Sequence, residues 1–232
     1  MNGITNKQII DFLDIVSTTD KFYASESDKA YLMNYDACDD YILSKSLIKK
    51  TWKELQSRMN GLNGITKIVN PINILHANAG TGKVLSECPS DNVMMMALNN
   101  DYVCKTISDI LNQHFSIDFS YSSEISDISH YFINGDHGNN IKYDVVFTQP
   151  TESDYYKGID GTELEKLPAL EYYSMRSLDF LTKGGYLCIL THPRKFKVLK
   201  DNKQFSDNVE LVSEILNKDT FEEYGCLIYK KK

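Results

Sequence analysis

Apolar and polar positions repeat along this chain with two different periods, and the change of period divides it. Over residues 1–64 the spacing is helical. Ile9, Ile10, Phe12, Leu13 and Val16 form one stripe, with Thr5 or Asn6 as its cap. Tyr41, Ile42, Leu47, Ile48, Trp52 and Leu55 belong to a longer pattern over 31–59, punctuated at its end by Gly61 and Gly64. This segment reads as a helical layer packed on the domain C-terminal to it. Over residues 65–232, short apolar runs alternate with helical patterns, which predicts a mostly parallel sheet. Strands are predicted at 72–75, 93–98, 142–147, 186–190, 209–216 and 225–229, with extended stretches at 117–121 and 131–133. The unbroken run 93–98 predicts a strand covered on both faces, its Met94-Met95-Met96 packed in the core. Helices are predicted from Thr81 until Cys88-Pro89-Ser90 cuts them short, over 102–111, and over 164–181, where Lys183-Gly184-Gly185 supplies a stop. Residues 195–205 read as a short basic helix or loop.

Composition narrows the class. A chain of 232 residues with 42% hydrophobic content can bury one sizeable α/β core plus a helical extension. A formal charge of −7 argues against a general nucleic-acid coat but leaves room for a local basic stripe, and Arg194, Lys195, Lys197, Lys200 and Lys203 form one. Five scattered cysteines without a Cys-x-x-Cys pair argue against a disulfide framework, and the five histidines have no metal-ligand spacing. The chain shows neither a cleavable signal nor a membrane-length apolar run, so a cytoplasmic protein without a membrane partner is expected.

Two strand ends carry candidate chemistry. The apolar run 72–75 empties through His76-Ala77-Asn78-Ala79 into Gly80-Thr81-Gly82, a turn in which a backbone can closely approach a nucleotide-like ligand. The run 143–147 ends at Thr148-Gln149-Pro150. Each has a bland alternative: a plain strand-to-helix turn for the first, a plain strand end for the second. Asn134-Gly135-Asp136 is likewise ordinary turn chemistry. Gly80-Thr81-Gly82-Lys83 also has the look of a phosphate-binding loop, but Ala77 occupies the position of the first glycine and Val84 that of the magnesium-binding hydroxyl.

In order and spacing, these features resemble the catalytic domain of adenine-N6 DNA methyltransferases, nearest to the modification subunits of type I restriction systems, over residues 65–232. Ala79-Gly80-Thr81-Gly82 resembles that family's first motif, and Asn134-Gly135-Asp136 the motif whose aspartate contacts the cofactor adenine. Gln149-Pro150-Thr151-Glu152 stands where the family has Asn-Pro-Pro and an aromatic. Phe180 to Leu187 is similar to its Leu-x-x-Gly-Gly strand entry, and residues 210–231 to its closing hairpin.

The resemblance implies a doubly wound, mostly parallel, seven-stranded sheet and an S-adenosylmethionine site built from His76, Gly80, Gly82, Asn99 and Asp136. It also implies catalysis by Gln149 and the Pro150 carbonyl, and substrate contacts from Tyr155, Phe221, Lys195 and Lys197. Adenine N6 is a poor nucleophile, and the family's asparagine and proline carbonyl activate it by accepting hydrogen bonds from the extruded base. Here Gln149 is one methylene longer, Thr151 replaces a proline and Glu152 an aromatic. His76 and Ala77 replace an acidic residue and a proline, and Leu98 stands where a carboxylate would grip the cofactor ribose. These departures predict weak or lost cofactor binding in a catalytically impaired relative that serves as a binding or scaffolding subunit. It would contact DNA through the basic stripe, or a protein partner that supplies specificity. The alternatives are an active methyltransferase working through Gln149 and Pro150 and a purely structural protein.

Overall fold

A computed structural model of the protein describes residues 43–59, 62, 71–80, 82–90, 92–99, 104–105, 108–109, 120–128, 131, 141–150, 155–156, 167–216 and 224–232. The first element is α1 (Lys45–Arg58), followed by β1 (Ile72–His76), the one-turn α2 (Lys83–Ser86), β2 (Val93–Asn99), β3 (Ser120–Ile125) and β4 (Tyr143–Thr148). Then come the short strands β5 (Tyr155–Tyr156) and β6 (Leu167–Pro168), α3 (Ala169–Phe180) and β7 (Leu181–Thr191). A single 3-10 turn (Pro193–Lys195), α4 (Phe196–Asp201), α5 (Lys203–Ser206), β8 (Val209–Leu216) and β9 (Gly225–Lys231) complete the series.

Seven strands form one sheet in the order β3-β2-β1-β4-β7-β9-β8. Neighbours from β3 to β7 pair in parallel, while β9 runs antiparallel to both β7 and β8. The carboxyl ends of β1, β2, β3, β4 and β7 therefore share one edge, and β8 ends and β9 begins there as well. Strand parity sorts the core into two layers. Ile74, Val145, Cys188 and Ile228 face α1, packed with Leu47, Trp52 and Leu55. Leu75, Val146, Leu187 and Leu227 face the other way, against Leu170, Tyr173 and Leu178 of α3 and Phe196 and Phe205 of α4 and α5. Central strands covered on both faces explain the near-continuous apolar runs.

Several elements differ from the sequence reading. Met94 is 48% exposed, so only Met95 of the methionine triplet is fully buried; β2 lies next to the edge strand, where cover is thinner. Tyr131 is helical rather than extended, and the ambiguous run 117–121 resolves into a strand that starts later, at Ser120. The helix predicted from 164 begins at Ala169 behind Pro168, because Leu167 and Pro168 pair with Tyr155 and Tyr156. It stops at Phe180 without a glycine cap. Gly184 and Gly185 lie inside β7 instead, near where its register with β4 shifts. Gly184 has φ 79°, and a Cβ on Gly185 would meet Thr182 Oγ1 at 2.8 Å and the Asp144 carbonyl oxygen at 3.0 Å. The glycines therefore permit a bulge and a close strand approach.

Cys188 and Cys226 are buried free thiols in β7 and β9. Burial, together with a hydrogen bond to Cys226, pushes the Cys188 thiol well above its ordinary range. No helix among the described residues is long and apolar enough to cross a membrane.

Candidate functional site

The ends of β1 and β4 meet at the shared edge. Beyond β1 the chain continues the sheet for three residues: the Ala77 amide donates to the Phe147 carbonyl at 2.8 Å and the Ala79 amide to the Leu98 carbonyl at 2.8 Å. It then turns through Gly80 (φ 53°) and Gly82 (φ 71°), both in the left-handed region that favours glycine. The Gly82 amide closes the turn onto the Ala79 carbonyl at 2.9 Å. As the sequence predicts, α2 is short, a single turn ending ahead of Pro89.

Asn78 joins this turn to the end of β4. Its Oδ1 accepts from the Gln149 amide at 2.6 Å and from Thr148 Oγ1 at 3.0 Å, and its Nδ2 donates to the Gln149 carbonyl. Gln149 and Pro150 are buried, and Gln149 Nε2 has no hydrogen-bond partner. The glycine turn and the Gln149-Pro150 turn therefore sit side by side, as the resemblance requires. Sequence reasoning missed Asn78. Its signal was a carboxamide between two alanines just ahead of a glycine turn.

His76 lies in register with Ala97 of β2 and Phe147 of β4. Its side chain is wholly buried, its ring centroid 5.9 Å from that of Phe147, and neither ring nitrogen has a hydrogen-bond partner. Burial lowers its pKa to about 3, so the ring is neutral near pH 7. Asn99 ends β2, also buried, with both carboxamide atoms unpartnered. Leu98, at the position where the family pattern has a carboxylate, is wholly buried in the α3-side core, so among the described residues Asn99 is the polar group this strand end offers. Orphaned buried polar atoms are rare in folded proteins. Here His76, Asn99 and Gln149 place them at the ends of three adjacent strands.

Beyond β3, the Ser126 amide donates to the Asn99 carbonyl at 3.0 Å. Asp127 then accepts from Tyr172 at 3.0 Å and Tyr173 at 3.5 Å. This acidic group at the edge was also missed, because 120–125 did not read as a strand. Asp136 and Phe221 lie outside the described residues. Tyr155 is placed only by its backbone, in β5 paired with Pro168. Lys195 and Lys197 come after β7 through His192 and Pro193, so the basic stripe leaves from the same edge. Lys197 is exposed and Lys195 half-buried, while Lys200 pairs with Glu214. Lys83, the lysine of the phosphate-loop alternative, donates to the Leu43 carbonyl at 2.9 Å, which engages it with the approach to α1. Among the described residues no group of three or more His, Cys, Asp or Glu could hold a metal ion.

No family model matches the chain, and no curated protein matches it either. Solved structures do. A Listeria monocytogenes protein assigned to the class I S-adenosylmethionine-dependent methyltransferases superposes with a TM-score of 0.61 at 16% identity, over 98% of this chain and 68% of that one. The fold is that of class I methyltransferases. The ribosomal protein L11 methylase of Lactobacillus delbrueckii subsp. bulgaricus gives 0.55 at 7% identity, over 82% and 81% of the two chains. The N-methyltransferase NodS of Bradyrhizobium japonicum, solved with S-adenosylhomocysteine, gives 0.52 at 12% identity, over 84% and 93%. The fold class read from the sequence is thus found: a mixed, mostly parallel sheet with a helix ahead of it.

Proposed function

We propose that this methyltransferase-fold protein is a catalytically impaired relative of adenine-N6 DNA methyltransferases that retains a ligand site and serves as a binding or scaffolding subunit. The observation that carries the reading is the set of polar groups at the strand ends. His76, Asn99 and Gln149 are buried and unpartnered, beside a turn whose two glycines adopt left-handed geometry. Left unsatisfied, each such group costs roughly 1–3 kcal/mol, and a bound ligand would supply the missing partners.

The same groups are uncharged. His76 stands where the family pattern has an acidic residue, and its neutral ring cannot replace that charge near pH 7. A lost charge-assisted hydrogen bond weakens binding by about 1.5–3 kcal/mol, one to two decades in affinity. Gln149, whose backbone Asn78 holds, would stand in for the activating asparagine, but its amide reaches one methylene further. A misplaced acceptor of this kind costs on the order of a hundredfold in rate. S-adenosylmethionine would bind against Gly80 and Gly82, with His76, Asn99 and Asp136 nearby, and would supply the methyl group if transfer occurs. Lys195 and Lys197, leaving the same edge, would meet DNA, with Tyr155 and Phe221 near the target and a protein partner supplying sequence choice.

One observation favours a second reading, an active methyltransferase: Gln149 and Pro150 sit fixed and buried beside the glycine turn. Two measurements decide. Calorimetry with S-adenosylmethionine and S-adenosylhomocysteine should give saturable binding that Gly80→Leu removes; absence of binding for both ligands in the wild-type chain overturns the ligand site. Labelled-methyl transfer to mixed nucleic acids should be undetectable; transfer abolished by Gln149→Ala establishes the active reading instead.

A further inference from the structure

Asn78 stands where the two turns of the site meet, and it satisfies both backbone groups of a single distant residue. Taking the ligand-binding reading above as its basis, we propose that Asn78 is a positioning residue that makes the two turns respond together. A nucleoside-type ligand bound against Gly80 and Gly82 would set the orientation of Gln149 through the Asn78 carboxamide.

The backbone around Asn78 is pinned on both sides. Ala77 is tied to β4 through Phe147, and Ala79 to β2 through Leu98. The carboxamide therefore cannot slide along the sheet, and the Gly82 amide closes the glycine turn onto the Ala79 carbonyl at 2.9 Å, so turn and carboxamide form one hydrogen-bonded unit. At its other end it accepts from the Gln149 amide and donates to the Gln149 carbonyl, 71 residues away in sequence, and Thr148 Oγ1 adds a third bond. All the partners are buried, where a broken hydrogen bond leaves a desolvated group behind and is expensive. Displacement of the glycine turn is then transmitted to Gln149 and not absorbed between the two.

The side chain of Gln149 keeps one unsatisfied donor. Its backbone is held, but Nε2 has no partner, and the backbone conformation selects which rotamer the side chain adopts. Accepting from an N–H and donating to a C=O of one residue requires both ends of a carboxamide. Asn78→Asp keeps the shape and the acceptor but sets an oxygen against the Gln149 carbonyl. Asn78→Leu removes all three bonds.

The test monitors backbone amide resonances of the full 15N-labelled chain during titration with S-adenosylhomocysteine, in wild type, Asn78→Asp, Asn78→Leu and Thr148→Val. In wild type the Gly80, Gly82 and Gln149 amides should shift with one common midpoint. In Asn78→Asp and Asn78→Leu the two glycines should still shift, with affinity changed by less than about tenfold, while the Gln149 response is lost. Thr148→Val, which keeps both bonds to Gln149, should retain it. If Asn78→Leu does not fold, Asn78→Asp decides. A Gln149 shift that survives in Asn78→Asp, or wild-type glycines that move while Gln149 stays still, overturns the proposal. If no wild-type resonance moves at saturating ligand, the ligand-binding reading falls, and the proposal with it.

Discussion

The indole nitrogen of Trp52 donates to the carbonyl oxygen of Val84 at 2.8 Å, so α1 is bonded directly to the one-turn helix just after the glycine pair. The same ring packs against Phe147 of β4 with centroids 4.9 Å apart. One side chain on the leading helix therefore braces both the helix after the glycine turn and strand β4, and a second link, the Lys45–Glu87 pair at 3.0 Å, is more exposed and contributes less. Trp52→Phe keeps most of the apolar volume but leaves the Val84 carbonyl without its donor, and should cost about 1–2 kcal/mol. Trp52→Ala should cost about 3–5 kcal/mol through the cavity it opens. Urea unfolding at pH 7.5 measures both. Equal losses for the two variants would show that the hydrogen bond, and not packing, dominates.

The glycine turn should tolerate side chains poorly for a conformational reason. Gly82 has φ 71°, where an L-residue pays about 1–2 kcal/mol. Gly82→Ala should lower the melting temperature by roughly 2–8 °C in a chain of this size. A β-branched Gly82→Val should lower it further, because such side chains are outliers there. An unchanged melting temperature in both variants would mean that the turn relaxes into another geometry at no cost.

How much of this was legible in the sequence depends on where each signal resides. The central strands could be read because burial on both faces makes them apolar without interruption, as in Val145, Val146 and Phe147. The glycine turn was legible because two positive-φ positions leave glycines at fixed spacing. β3 was not legible: Ser120-Tyr121-Ser122-Ser123-Glu124-Ile125 is an edge strand whose pairing comes from β2, not from its own pattern. Gly184-Gly185 misled because a bulge and a helix stop draw on the same conformational freedom. Asn78 was invisible as a linker because its partner lies 71 residues away, and no local period records a contact of that range. His76 was legible as a candidate, but only burial reveals that it is neutral.

The basic stripe gives a prediction that separates a nucleic-acid contact from a solvated face. Lys195 and Lys197 leave the edge that carries the two turns, and Lys197 is exposed. If they contact phosphates, Lys195→Ala with Lys197→Ala should weaken retention on duplex DNA uniformly across sequences. It should also reduce the slope of log affinity against log salt by about 2, roughly one per lost contact. Fluorescence anisotropy between 50 and 200 mM salt, roughly the range where such contacts report strongly, measures it. An unchanged slope in the double variant would assign the stripe to solvent.

His76 makes the stability of the fold depend on pH with a definite sign. Its ring is wholly buried and its folded-state pKa is about 3, against 6.5 for the unperturbed group. Between those values the unfolded chain binds a proton at this position and the folded chain does not. Stability from the neutral ring is therefore fully present above pH 6.5 and is lost as pH falls toward 3. The slope approaches about 1.4 kcal/mol per pH unit in the middle of that window. His76→Leu removes the titration and the two orphaned ring nitrogens together, so it should be close to wild type in stability at pH 7.5, or above it. It should gain on wild type steadily between pH 6 and pH 4. Urea unfolding of both chains at half-unit intervals supplies the difference, in which the carboxylates common to the two cancel. A difference that stays flat over that window would mean that His76 accepts a proton in the folded state and finds a partner there.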